Sequence, residues 1–329
     1  MRLYPFTFSP VLQERIWGGR RLATLYGKSL PEGKKIGESW EICDRPEGIS
    51  VITNGIAAGK SLRWLMENHG RDVIGDEFST GTRFPLLVKL LDAEEDLSLQ
   101  VHPPSIAAKE LQGESKTEFW YVATARTDAC IHAGLKQGTT AQEFERKARD
   151  GSVQSAFHRL KVRAGDAMFL PSGRVHALGA GTVVFEIQEN SDTTYRVFDW
   201  NRTDATGKPR ELHLEKAMAA IQFDDVEPDL LRAEWLSKAD GSEFRELVQD
   251  PLFFIRHFRV GHASECMLEH RDRLTICGVI SGRVSIHGGG EELRLEAGQF
   301  GLMPKALLDG RIVGHKRSEF LFVEYPGTR

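Results

Sequence analysis

The stretch Gly165-Asp166-Ala167-Met168-Phe169-Leu170-Pro171-Ser172-Gly173-Arg174-Val175-His176 constrains the fold of this chain more than any other. A short apolar run enters a Pro-x-Gly turn, and a histidine follows three residues after the glycine. The run is too short for a helix and is bounded by glycine and proline, so it reads as a strand leading into a tight turn. Upstream, Gln100-Val101-His102 alternates and stops at Pro103-Pro104, and Glu118 opens a run rich in aromatic and β-branched residues, Glu118–Ala123. Two imidazoles, one carboxylate and one amide oxygen brought together would hold a single divalent metal. Zinc accepts those ligand types and would keep room for water or substrate.

The rest of the chain is mostly short strand-like runs broken by glycine and proline. Pro85–Leu91, Ser98–His102, Thr182–Ile187 and Thr194–Trp200 all read as strands. Many short strands with regular turns predict an antiparallel barrel or sandwich. Helical signals are fewer. Ser61–His69 carries apolar residues at 62, 65 and 66 and is expected to close at Gly70. Thr140-Ala141-Gln142-Glu143 looks like a capped start to a helix ending near Gly151, and Glu211–Ile221 is a further short candidate. Residues 224–243 are acidic and lack periodicity, so they are expected to connect a first domain, 1–223, to a second, 244–329.

The second part echoes the first. Gly298-Gln299-Phe300-Gly301-Leu302-Met303-Pro304 repeats the Gly-to-Pro spacing of Gly165 to Pro171 at an offset of 133 residues. That offset carries Gly173 to Ala306 and His176 to Asp309, so the second copy is expected to have lost its metal histidine.

Composition narrows the function classes. With 329 residues, 40% hydrophobic and 27% charged, the chain is of the soluble globular kind. A net charge of −4 gives no global reason to bind nucleic acid or an anionic membrane, so a phosphorylated ligand would need a local basic pocket. Four widely spaced cysteines without a C-x-x-C fit reduced, buried thiols rather than a disulfide framework. No apolar h-region opens the chain and no run of about 18 apolar residues exists. A cytoplasmic location is expected. Monomer and homodimer both accord with the sequence.

The phrase at 165–176 resembles the second cupin motif, G-x5-P-x-G-x2-H. The first motif departs from the usual one: Gln100 stands where a histidine would, and the acid comes sixteen residues after His102. In that departure the chain resembles the type I, zinc-dependent mannose-6-phosphate isomerases in their short bacterial form. The resemblance is carried by PLLVKLLDAEEDLSLQVHP at 85–103, by Lys116-Thr117-Glu118, by Gly37-Glu38-Ser39-Trp40-Glu41, and by Gln188-Glu189-Asn190-Ser191-Asp192-Thr193-Thr194-Tyr195-Arg196-Val197-Phe198-Asp199-Trp200. It is collinear from about residue 5 to 220 and looser beyond.

The resemblance implies a mainly β fold of two cupin-like jelly-roll barrels with a few short helices. It implies one zinc per chain on Gln100, His102, Glu118 and His176, and a catalytic arginine at Arg196. Substrate-pocket positions fall on Trp17, Lys89, Ser98, Lys116 and Asp192. The implied reaction interconverts mannose 6-phosphate and fructose 6-phosphate through a cis-enediolate.

The residue types suit that chemistry. Gln100 and His102, two apart on a strand, point to one face. One carboxylate against a divalent zinc leaves the site formally positive, able to polarise a sugar oxygen. Enediolate formation needs a base and positive charge at the forming oxyanion. Zinc and Arg196 would supply the charge, and Asp192 could orient the arginine. The base is either Lys116, its pKa lowered by a nearby cation and burial, or a metal-bound water. Lys89, Ser98 and Lys116 are the phosphate candidates, since no P-loop or G-x-G-x-x-G opens a helix.

Blander readings stand beside these. Gln100 could hydrogen-bond behind the metal rather than ligate it. Arg196 could bridge Asp192 or Asp199 structurally, Lys89 and Lys116 could be solvated strand lysines, and Trp17 could be core packing. His69, His132, His158, His213, His257, His262, His270, His287 and His315 show no ligand spacing and are expected to be structural. Three other functions remain open: an isomerase of a different or unphosphorylated aldose, an Fe(II) oxygenase, and a non-catalytic sugar-binding protein.

Overall fold

The computed structural model describes residues 1–203, 207–261, 272–315 and 317–326, and the backbone of 265–267. His262 and His270 lie outside the described residues.

Strands dominate. In the first part they are β1 (Val11–Gly19), β2 (Ile36–Ile42), β3 (Leu86–Ala93), β4 (Leu99–Val101), β5 (Glu118–Ala125), β6 (Cys130–Leu135), β7 (Phe157–Lys161), β8 (Ala167–Leu170), β9 (His176–Leu178), β10 (Thr182–Glu189) and β11 (Tyr195–Phe198). They form a six-stranded sheet, β8-β5-β10-β3-β1-β2, and a five-stranded sheet, β7-β6-β9-β4-β11. All pairings are antiparallel. Leu91, Trp120, Val122, Met168 and Val184 from the first sheet cluster with Ile131, Ala133 and Leu178 from the second, so the two sheets share one inner core.

The outer faces are covered too. Val88, Leu90, Phe119, Tyr121, Phe185 and Ile187 pack outward against residues of the C-terminal part such as Ile276, Leu302 and Val323. This is why Leu86–Ala93 reads as a nearly continuous apolar run: every one of its residues is buried, on both faces. On the five-stranded sheet, Val101, Ala177 and Val197 pack outward against Phe144 and Ala217, which helices supply.

The C-terminal part contains β12 (Glu243–Gln249), β13 (Phe254–Val260), β14 (Glu265–Met267), β15 (Leu274–Ser281), β16 (Arg283–Gly288), β17 (Glu291–Glu296), β18 (Phe300–Met303), β19 (Arg311–Gly314) and β20 (Ser318–Tyr325). Here β12-β13-β20-β15-β18 lie in one sheet and β14-β19-β16-β17 in another. The order β8-β5-β10-β3 recurs as β18-β15-β20-β13, and β7-β6-β9-β4 as β17-β16-β19-β14. The seven-residue echo in the sequence is thus part of a repeated strand order. Gly165 (φ 91°) and Gly298 (φ 76°) both take the left-handed conformation before the matching strands.

The expected counterpart of His176 is displaced. His176 begins β9, whereas Asp309 precedes β19, which begins at Arg311, so the turn after Pro304 is two residues longer than the offset implied. Asp309 is exposed there, and its carboxylate accepts the Gly289 N–H at 2.9 Å.

Helix boundaries follow local capping. Ala141–Asp150 starts where expected: the Thr140 hydroxyl accepts the Glu143 N–H, and Gly151 ends the helix at φ 80°. Leu214–Ala220 is shorter than the Glu211–Ile221 expectation. The helix capped by Ser61 breaks at His69 (φ −139°, ψ 18°), beside the expected end at Gly70, and helical backbone resumes beyond this kink to Ile74. Gly70 follows the kink and also marks close packing, since a Cβ there would lie 2.2 Å from the Phe78 ring.

The start of the 224–243 segment lies against the first part, where Val226 bridges Leu135 and the Leu231 N–H donates to the Ala167 carbonyl, whereas Leu236–Ser237 pairs with the start of β12 in the C-terminal sheet. Cys43 and Cys130 are buried and unbridged, and Cys277 is buried. No helix among the described residues is long and apolar enough to cross a membrane.

Candidate active site

Strand register builds the site. On the five-stranded sheet His176 pairs with Gln100, and Gln100 pairs with Arg196, so the three side chains share one face across β9, β4 and β11. On the facing sheet a second row runs Trp120, Glu186, Lys89, Trp40 across β5, β10, β3 and β2. Glu118 opens β5 on that same face, two residues before Trp120. The sandwich therefore turns both rows toward each other.

At the meeting point three groups converge. His102 Nε2 is 3.2 Å from Glu118 Oε1, and His176 Nε2 is 3.4 Å from Glu118 Oε2. The Gln100 amide nitrogen is 3.2 Å from His176 Nε2. Each imidazole donates its Nδ1–H to a backbone carbonyl: His102 to Thr193 at 2.7 Å, His176 to Arg174 at 2.9 Å. That fixes the tautomer and leaves both Nε2 lone pairs aimed at a carboxylate. Lone pairs then face lone pairs. His102 Nε2 and Glu118 Oε2 are buried without a hydrogen-bond partner, and Glu118 Oε1 meets only the Lys116 ammonium, at 2.6 Å. Orphaned buried acceptors are costly unless a cation satisfies them, so this donor set fits a divalent metal. Among the described residues, His102, Glu118 and His176 are the group of three close enough to hold an ion, all within 4.8 Å. A half-turn of the Gln100 amide brings its oxygen toward the same point.

Electrostatics keep the set ready. Burial, and next the Lys116 cation, push the His102 imidazole down to about 3, and burial likewise lowers His176. Burial tends to raise Glu118, but Lys116 and the two histidines outweigh it and hold the carboxyl well below its ordinary range. The histidines are thus neutral and the glutamate ionised, as metal ligation requires.

Around the triad lies a ring of ion pairs. Lys116 Nζ is 2.6 Å from Glu118 Oε1. Lys89 Nζ lies 3.1 Å from Glu186 and 3.6 Å from Glu38, above the Trp40 ring at 5.5 Å. Glu38 also accepts from Arg15 at 2.7 Å and from the Trp40 indole at 2.6 Å. Burial opposes its ionisation, yet Lys89 and Arg15 bring it down to about 2. The Trp120 indole donates to Glu186 at 2.7 Å. Lys89 is therefore not a solvated strand lysine: it is 3% exposed and held by two carboxylates.

Asp192 does not orient Arg196. The Arg196 Nη1 donates to the Glu211 carbonyl at 2.8 Å, and its backbone N–H donates to His213 Nδ1 at 3.2 Å. Asp192 is still near: it adds to the field on Lys89. Asp199 is not Arg196's partner either, since its carboxylate receives Arg202 and Arg210 at 2.6 and 2.7 Å.

These groups border a cavity of about 450 Å³. Trp17, Lys89, Ser98, Gln100, Lys116, Asp192 and Arg196, all singled out from the sequence, line it. His102, Glu118 and His176 lie at most 1% exposed. The wall at Trp17 depends on Gly18, where a Cβ would meet the Gly37 backbone nitrogen at 2.3 Å. Sequence reasoning missed Arg15, Glu38, Glu186, Thr194 and Arg210 as cavity residues. Glu38, inside Gly37–Glu41, and Thr194, inside Gln188–Trp200, carried a signal; Glu186 becomes visible once β10 is paired with β3.

Comparison with known proteins places this geometry. Residues 6–122 match the model of the phosphomannose isomerase type I catalytic domain. Mannose-6-phosphate isomerase ManA of Bacillus subtilis (strain 168) is 36% identical over 321 residues, 96% of this chain and 98% of that protein. The crystal structure of the Bacillus subtilis mannose 6-phosphate isomerase superposes with a TM-score of 0.87 at 34% identity, covering 98% of this chain and 99% of that one. A mannose 6-phosphate isomerase structure bound with zinc and yttrium shares the fold at 17% identity and a TM-score of 0.76, over 98% of this chain and 99% of that one. With a third of its residues shared along nearly its whole length, and the buried His-Glu-His cluster in place, the chain belongs to the type I phosphomannose isomerase family.

Proposed function

We propose that the chain interconverts mannose 6-phosphate and fructose 6-phosphate, using one zinc held by Gln100, His102, Glu118 and His176. The observation that carries this is the buried cluster of His102, Glu118 and His176, with acceptors on His102 Nε2 and Glu118 Oε2 that no donor meets, beside a polar cavity of sugar-phosphate size. The relatives named for this activity, and the zinc in the structure sharing this fold, support it. When bound, the ion supplies positive charge that polarises a sugar oxygen.

The chain's own residues do the rest. Isomerisation moves a proton between two adjacent carbons and places negative charge on oxygen in a cis-enediolate. Arg196 projects from the strand beside Gln100 and keeps a fixed positive charge at any working pH, so it stabilises that oxygen. Its hydrogen bond to the Glu211 carbonyl holds the guanidinium in place. Lys116, against Glu118 and lining the cavity, is the group assigned to carry the proton. Trp17 and Ser98 form the cavity wall and bind the sugar.

A coupled assay comparing mannose 6-phosphate with free mannose tests the reading. Turnover of the phosphorylated sugar far above that of mannose is expected. Equal turnover of the two, or none of either by zinc-loaded protein, overturns it.

A further inference from the structure

The cavity's cations are unevenly committed. Lys116 sits on Glu118, and Lys89 and Arg15 share Glu38 and Glu186, so those cations are matched by carboxylates. The end beside Arg196 is different. Arg196, Arg202 and Arg210 face one buried carboxylate, Asp199, which is 5% exposed. Asp199 takes Arg202 Nη2 at 2.6 Å and Arg210 Nε at 2.7 Å. The other acids nearby are more exposed: Glu95 is 3.9 Å from Arg202 with 47% of its side chain exposed, and Glu211 has 83% exposed. Three guanidiniums share one buried carboxylate, so positive charge is in excess on the buried side of this end of the cavity, where a phosphate would offset it.

The donors are also incompletely used. Arg196 Nε and Arg202 Nε are buried without a hydrogen-bond partner. Arg210 gives Nε and Nη2 to Asp199, and among the described residues its Nη1 has no hydrogen-bond partner. Burial, and then the Arg210 charge, lowers the Arg196 pKa, so the guanidiniums repel one another and an anion would relieve them.

We propose that Arg210, oriented by Asp199 and backed by Arg202, binds the phosphate of the substrate, which sets the sugar's carbonyl end toward Gln100 and Lys116. The assignment rests on the isomerase reading above. It takes the phosphate from Lys89, whose charge Glu38 and Glu186 match, and from Lys116, which is assigned the proton, and gives it to residues that present a planar fork to phosphate oxygens.

The test uses zinc-loaded enzyme, Arg210→Gln and Arg210→Lys, with inorganic phosphate as competitive inhibitor. In Arg210→Gln, KM for mannose 6-phosphate and Ki for phosphate should rise together by roughly 30-fold or more. The kcat should stay within about threefold, since anchoring affects ground and transition states alike. Arg210→Lys should fall between, keeping the charge and losing the fork. If Arg210→Gln does not fold, Arg210→Lys decides by the same parallel shift. Unchanged KM and Ki overturn the assignment, as does a lowered kcat and melting temperature without a shift in phosphate Ki. A wild-type enzyme indifferent to phosphate, turning over free mannose as well as its phosphate, overturns the isomerase reading and the assignment with it.

Discussion

His102 and His176 each spend one ring nitrogen on a main-chain carbonyl and offer the other to Glu118. Removing either imidazole removes one of few ligands, so His176→Ala should drop bound zinc well below one per chain by metal analysis; undiminished content would take His176 out of the site. Arg196 should behave differently. Arg196→Ala should lower kcat by roughly 10²–10³-fold with little change in melting temperature, and an unchanged kcat would put the oxyanion's partner elsewhere. His132 bears on stability rather than catalysis. Burial pushes its imidazole down to about 4, and its Nδ1 has no partner. Between about 4 and 6.5 the unfolded chain holds the extra proton, so stability is lost as pH falls through that window. His132→Gln should therefore lose about 1–2 kcal/mol less than wild type between pH 7.5 and 5 in urea titrations; an equal loss would contradict this. At this scale the convergence of His102, Glu118 and His176 was legible because they sit in short motifs with strand spacing. Asp192 as the orienter of Arg196 was not, because four-residue spacing has no meaning before a strand that begins at Tyr195, and the real partner is the distant Glu211 carbonyl.

Among the elements, what local chemistry dictates was readable and what tertiary contact dictates was not. Thr140 and Gly151 bracket their helix through capping alone, and Pro171-Ser172-Gly173 turns the chain between β8 and β9. The close approach of the Phe78 ring to Gly70 is of the second kind, since sequence spacing does not reveal it. Gly18 shows the same principle at the site. Its bare Cα lets β1 approach the backbone of Gly37. Gly18→Ala should destabilise the fold by about 1–3 kcal/mol in chemical denaturation and disturb the Trp17 wall. A silent substitution would mean that these strands can part without cost.

For the whole molecule, one strand order is used twice, but only the first use gathers a metal-binding set among the described residues. The repeat surfaced in the sequence as seven residues, because the turn glycine and proline are needed for the strand-turn geometry while interior side chains are free to differ. The offset failed beyond Pro304, where two added residues carry Asp309 off the strand and into an exposed turn. Asp309→Ala should accordingly leave kcat/KM unchanged. The C-terminal part still buries the outer face of the sheet that carries Glu118, Glu186 and Lys89, so its contribution is to pack that sheet.

The central claim is that a metal ion completes a set of lone pairs that the protein alone leaves facing one another. Stripping the enzyme with a chelator, assaying mannose 6-phosphate isomerisation, and titrating zinc back tests it most directly. Loss of activity, with full recovery at one zinc per chain, is the predicted result; full turnover by metal-free protein would contradict the account.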